Sequence, residues 1–195
     1  MLRIHKIFIY TVIFFCTSIN AIAQNPCAEL TDELSQISKE KNTLAQTFSP
    51  KEGRFKIGLP PANPSKSETD QEQKSPVNMT RYRWLTLNVG EFEVSYYDSN
   101  RKLDDAAVSK AILDNLRDKL KINSGGELQI DKDITIRNFP GREVKIKSEK
   151  HIEITRLYLV GNRLYIVAVS LPIRLECALE RATKVLDSFE LVNDN

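Results

Sequence analysis

Histidine is scarce in this chain: two copies in 195 residues, His5 and His151. Zinc, copper and iron sites that draw on two or three imidazoles therefore have too few ligands, the more so because His5 falls in an N-terminal leader. A Ser-His-Asp arrangement would rest on His151 alone, and no Gly-x-Ser-x-Gly is present. The three cysteines include no Cys-x-x-Cys pair, which removes the common redox-active thiol motif. Glycine is also sparse, at seven residues. The adjacent pair Gly125-Gly126 lacks the flanking pattern and the lysine of a phosphate loop, and no calcium-loop spacing occurs. Carboxylate pairs do exist, at Asp104-Asp105 and at Asp131 with Asp133. Helix capping explains the first and alternation on an exposed strand face explains the second. The sequence thus reads as a non-enzyme with no cofactor or metal; a hydrolase built on carboxylates that spacing does not reveal remains the weakest alternative.

What is present begins with an address. Arg3, His5 and Lys6 precede an apolar run of about ten residues, Ile7 to Cys16, too short for the roughly 20 residues of a membrane span. Ala21-Ile22-Ala23 then supplies the small-x-small pattern of signal-peptidase cleavage, so 1–23 is expected to be a signal peptide cleaved after Ala23. A retained N-terminal anchor is the competing reading. The product is expected to be exported, periplasmic or secreted, with no membrane span after cleavage. Arg3 and Lys6 leave with the leader, so 28 basic residues less 2 stand against 26 acidic ones. A neutral surface argues against nucleic acid, whose affinity comes mainly from phosphate neutralisation.

Cleavage also removes Cys16 and leaves Cys27 and Cys177. Two thiols in an oxidising compartment pair if they can meet. Cys177 falls on the flank of a predicted helix whose apolar positions are Leu175, Ala178, Leu179, Ala182, Val185, Leu186 and Phe189. An N-terminal arm can reach it there, so the expected disulfide is Cys27–Cys177; two unpaired thiols are the alternative.

Residues 24–47 read as a helical arm, with Leu30, Leu34, Ile37 and Leu44 spaced near four and three. An arm lying on its own domain and one that binds a partner both fit that pattern. A strand over 54–59 turns Phe55, Ile57 and Leu59 to one side and stops at Pro60-Pro61. The segment 61–78, rich in Pro, Ser, Lys, Glu and Gln, reads as a mobile loop. A hairpin over 81–89 and 91–97 turns at Val89-Gly90, and within it Arg81, Tyr82, Arg83 and Trp84 alternate. That alternation fits a basic-aromatic binding face or, as readily, apolar packing with solvent-facing charges. Asp104 is placed to cap a helix over 105–122, carrying Val108, Ile112, Leu116 and Leu120, which ends at Asn123-Ser124-Gly125-Gly126. Strands at 127–137 and 141–149 are expected to turn at Pro140-Gly141. Strands at 151–160 and 163–171 turn at Gly161-Asn162, and a last helix covers 174–188. Leu164 to Val169 is apolar on both faces, which marks a central strand covered on both sides. The expectation is one α/β domain of α+β type, an antiparallel sheet flanked by helices on both faces.

Three blocks then carry a resemblance: 48–60, with Phe48-Ser49-Pro50-Lys51-Glu52-Gly53-Arg54-Phe55 and Leu59-Pro60; Phe139-Pro140-Gly141-Arg142-Glu143 with Tyr158-Leu159-Val160-Gly161-Asn162-Arg163-Leu164-Tyr165; and Leu186-Asp187-Ser188-Phe189-Glu190-Leu191. In that order they resemble a group of exported bacterial proteins of unknown function, whose fold is similar to PsbP and to the Mog-type Ran-binding proteins. The resemblance covers about 48–192 and implies a PsbP-like three-layer sandwich over 48–195. It implies accessory or binding roles and transfers no active site. Arg142, Glu143, Arg156 and Arg163 are its charged members, read as ion-pair partners on neighbouring strands. The leading expectation is a monomeric accessory domain that binds a protein or envelope component, with a small-ligand or lipid-binding module as the alternative.

Overall fold

The computed structural model describes residues 46–59, 65–69, 79–86 and 90–192. The expected leader, nearly all of the arm, Cys27 and most of 61–78 lie outside them. The sheet is organised around β9 (Arg163–Pro172), the doubly apolar strand. It sits fourth of seven in the order β3-β4-β5-β9-β8-β7-β6, with every pairing antiparallel. The others are β3 (Ser65–Thr69), β4 (Met79–Thr86), β5 (Gly90–Asp98), β6 (Glu127–Ile136), β7 (Phe139–Lys147) and β8 (His151–Val160). A second antiparallel sheet, β1-β2-β10, joins β1 (Gln46–Phe48) and β10 (Glu190–Leu191) to the two edges of β2 (Phe55–Leu59).

Period-two alternation sorts the large sheet into two faces. One face presents Tyr82, Trp84, Phe92, Val94, Tyr165 and Val167 to Phe55, Ile57 and Leu59 of the small sheet and to Ala182, Val185 and Leu186 of helix α2 (Leu179–Asp187). The other presents Leu157, Leu159 and Leu164 to helix α1 (Ala106–Ser124). The layer opposite α1 is thus a small sheet together with a helix, where a helix alone was expected.

Local details correct several expectations. Asp105, not Asp104, caps α1: its Oδ1 accepts the amides of Ala107 at 3.1 Å and Val108 at 3.3 Å. Gly125 ends α1 in the left-handed region at φ 59°, as its position predicts. Ile112, Leu116 and Leu120 of α1 pack on the sheet as expected, while Leu113 is the helix's buried apolar residue and Val108 is exposed. The β6–β7 turn lies at Arg137-Asn138, since Ile136 pairs with Phe139 and Arg137 takes φ 53°. Pro140 and Gly141 are strand residues instead. A Cβ on Gly141 would stand 2.5 Å from the carbonyl oxygen of Leu157 and 2.6 Å from the Tyr158 ring, so glycine here serves close strand approach rather than a turn. The Gly161-Asn162 hairpin forms as expected, with Gly161 at φ 62°. The polar segment 61–78 contains strand β3, paired with β4 through its backbone. The last helix is split: residues Ile173–Ala178 form a 3₁₀ turn before α2, with Leu175 at φ −105°, ψ 20°.

Candidate functional site

The charged residues of the recurring motifs are spent inside the fold. Arg163, 6% exposed, donates to both carboxylate oxygens of Asp98 at 2.6 Å and to the carbonyls of Glu52 and Gly53 at 2.9 and 3.0 Å. Its guanidinium carbon also stands 4.3 Å from the centre of the Tyr96 ring. The Tyr165 hydroxyl donates to the same Gly53 carbonyl at 2.9 Å, and burial raises its pKa above the phenol range. The first motif block is therefore bolted onto the second. The third block joins them: Phe189 stacks on Tyr158 with centroids 5.8 Å apart, and the Ser188 hydroxyl accepts the Gly58 amide at 2.9 Å.

Arg142 and Glu143 point to opposite faces and hold opposite layers. Arg142 pairs with Asp114 of α1, with Asp131 of β6 at 2.8 Å and with Asp133 at 3.4 Å. Asp131 and Asp133, read from sequence as plain surface alternation, are thus both tied to Arg142. The hydrogen bond from Arg142 holds the Asp114 carboxyl below its ordinary pKa. Glu143 accepts from Arg156 at 2.7 Å and Lys132 at 2.8 Å, and Arg156 reaches on to Asp187 at 2.6 Å. Burial pushes the Glu143 carboxyl up, but those two cations outweigh it and the net shift is downward. The expected ion-pair roles of Arg142, Glu143, Arg156 and Arg163 are all present.

A different situation prevails where α1 stops short of the sheet. Beyond Leu120 and Asn123 no described residue covers the helix-bearing face, and an open groove of about 450 Å³ lies there. Register fixes its floor as three rows across β4, β5, β9 and β8. Arg81, Ser95, Ile166 and Leu157 form the first row, Arg83, Glu93, Ala168 and Thr155 the second, and Leu85, Glu91, Ser170 and Glu153 the third. Small side chains at Ser95, Ala168 and Ser170 keep the middle shallow. The basic-aromatic alternation of β4 therefore splits: Tyr82 and Trp84 are core, while Arg81 and Arg83 belong to this groove.

Glu93 holds both arginines, Arg81 through Nε at 3.0 Å and Arg83 through Nη2 at 3.3 Å, and accepts the Ser95 hydroxyl at 3.1 Å. Arg83 also pairs with Glu91 at 2.6 Å. Arg81 spends only one further nitrogen, on the Met79 sulfur at 3.9 Å. Among the described residues the side chains of Glu153, Thr155 and Asn123 have no hydrogen-bond or ion-pair partner, although Thr155 is only 5% exposed. Glu91 and Ser170 continue into a second recess of about 330 Å³ with Leu85, Leu175 and His151. His151 is exposed at the start of β8, where sequence placed it. No motif announces this groove, because its rows come from four separate stretches of chain. Cys177 is exposed on the 3₁₀ turn, off the apolar stripe as expected, and Cys27 lies outside the described residues. Among the described residues no His, Cys, Asp and Glu side chains group as a metal site, and no helix is long and apolar enough to cross a membrane.

An antiparallel sheet with a helix on one face and a small sheet plus helix on the other places this chain in the PsbP-like fold class. The chain is similar to the solution structure of cyanobacterial PsbP (CyanoP) from Synechocystis sp. PCC 6803, at 14% identity and TM-score 0.53, over 75% of this chain and 91% of that one. At that identity the likeness shows the fold alone. A protein of unknown function from Pseudomonas aeruginosa aligns over 69% of this chain and 99% of its own at 12% identity and TM-score 0.43. A crystal structure from Bacteroides thetaiotaomicron aligns over 78% of this chain and 50% of its own at 16% identity and TM-score 0.42. No family model and no curated protein matches the chain in sequence.

Proposed function

We propose that this protein is an exported, non-enzymatic accessory domain that, as a monomer, binds a protein or another envelope component through the uncovered half of its sheet. One observation carries the reading. The motif charges are paired within the fold, whereas the groove keeps an acid, the hydroxyl of a largely buried threonine and an amide without partners among the described residues. Unspent polar groups in a concave surface are what recognition of a partner uses. Export rests on the leader pattern at 1–23. A Cys27–Cys177 disulfide, which would anchor the arm to the 3₁₀ turn, belongs to the same proposal; a non-reducing peptide map with both thiols free would overturn it.

The test is site-specific photo-crosslinking in the native envelope. A photoreactive residue replaces Thr155 in the groove or Glu180 on the exposed side of α2. One protein captured near stoichiometrically from position 155 and not from 180 supports the reading. Equal capture from both sites, or none from either, removes the protein partner.

A second reading, a small-ligand module, is favoured by the groove volume, which falls within the range of ligand sites. Its lipid form fares worse, because Arg81, Glu91, Glu93 and Glu153 line the groove and an acyl chain would strip them of water.

A further inference from the structure

The groove's unspent groups have a pattern, and resting on the small-ligand reading we infer the chemical class it takes: a short zwitterionic peptide of about four residues. Arg81 stands on one wall. Its Nε is tied to Glu93 and one terminal nitrogen leans on the Met79 sulfur, so the guanidinium is oriented while its other terminal nitrogen meets no acceptor among the described residues. A guanidinium held in this way is a positioned receptor for a carboxylate. Glu153 stands on the opposite wall, half-buried and without a cation among the described residues. The groove's ionised side chains are Arg81 and Arg83 against Glu91, Glu93 and Glu153, and Glu153 is the unmatched charge.

Spacing selects the size. The strands of Arg81 and Glu153 are three steps apart, about 14 Å at the usual inter-strand distance, with an offset of four residues along them, about 13 Å more, so the two positions lie roughly 19 Å apart on the diagonal. The Arg81–Glu93 bond leans the guanidinium inward by part of that distance. The gap left between the charges exceeds the reach of a single amino acid, whereas four extended residues span about 14 Å. Between the walls, Thr155 and Asn123 offer polar groups for a peptide backbone. Ile166 and Leu120 offer apolar contact for side chains, and Ala168 leaves the floor low enough for a chain to lie across it. The peptide carboxylate sits at Arg81 and its ammonium at Glu153.

The experiment is titration of the full mature protein with tetraalanine and tetraleucine, each with free termini, N-acetylated, or C-amidated, followed by calorimetry and by backbone amide shifts. Free-terminus peptides are expected to bind, shifting amides of β5, β8 and β9. Acetylation and amidation each cost about tenfold or more, as the loss of a charged hydrogen bond does. E153Q removes the penalty of acetylation, R81Q removes that of amidation, and circular dichroism verifies that both variants fold. Capped and free peptides binding alike, or no free peptide binding at millimolar concentration, would overturn the inference. A protein cross-linked at position 155 despite silent peptides would leave the partner reading standing while this one falls.

Discussion

Two charged regions of this molecule use the same residue types for opposite ends. At the Gly53 junction, Arg163 sends donors to a carboxylate and two carbonyls and lies over an aromatic ring, and Tyr165 completes the set. In the groove beyond α1, Arg81 is steadied by one carboxylate, and Glu153 by nothing among the described residues. The first arrangement holds three distant stretches of chain together. The second is pre-oriented and under-used. Charge in a fold is informative about binding only after the charges that the fold itself consumes have been subtracted.

Substitutions should separate the two regions by stability. Arg163→Met leaves Asp98 without its bidentate partner and takes one donor from each of the Glu52 and Gly53 carbonyls, the latter keeping the Tyr165 hydroxyl. It should cost about 3 kcal/mol in urea unfolding, since breaking a buried ion pair is expensive even when one partner keeps some solvent; a loss below about 1 kcal/mol would dissolve the contrast. Glu143→Gln comes next, at about 1–2 kcal/mol near neutral pH, because Arg156 keeps Asp187 as a second partner. Its pH dependence sharpens the point. The folded-state pKa of Glu143 is depressed, so its contribution is present above the unfolded value of about 4.3 and is lost as pH falls through the lower folded value. Melting temperatures measured from pH 7 to 2 should therefore fall less steeply below about pH 4 in the glutamine variant than in the parent. Glu153→Gln is the smallest, within about 0.5 kcal/mol of the parent at any pH near neutrality, as expected for a side chain that holds nothing.

The sheet was legible in sequence wherever its alternation is clean. The β8–β9 hairpin, the central place of β9 and the α1 terminator at Gly125 all follow from local rules. Misplacements arose where tertiary demands outbid a local preference. Pro140-Gly141 has turn chemistry, yet Gly141 is needed flat against Leu157 and Tyr158, so the turn fell to Arg137, whose guanidinium donates to the Leu191 carbonyl at 2.6 Å. Strand β3 shows no apolar alternation because its place in the sheet comes from backbone pairing along β4. Three of the four expected stripe residues of α1 do pack; Leu113 was missed because it joins the Leu157–Leu164 cluster while its neighbour Asp114 meets Arg142. The motif charges were legible as ion pairs. The groove was not: its residues share no spacing, and only the register of four strands and the length of α1 bring them to one surface.

Strand β2 carries a consequence for how the molecule comes into being. It pairs with β10 along one edge, and the Gly53 carbonyl just before it is fastened to β9, 110 residues away. The first strands of the domain thus have no finished place to dock until its last residues are available. A chain closed by its own tail is slow to complete, because long-range contacts form only after a large loop is ordered. For a protein threaded through a membrane from its N-terminus, that delay is useful. Under the export proposed above, the chain would stay in a form that can be threaded until its C-terminal strand had crossed, and folding would then begin on the far side.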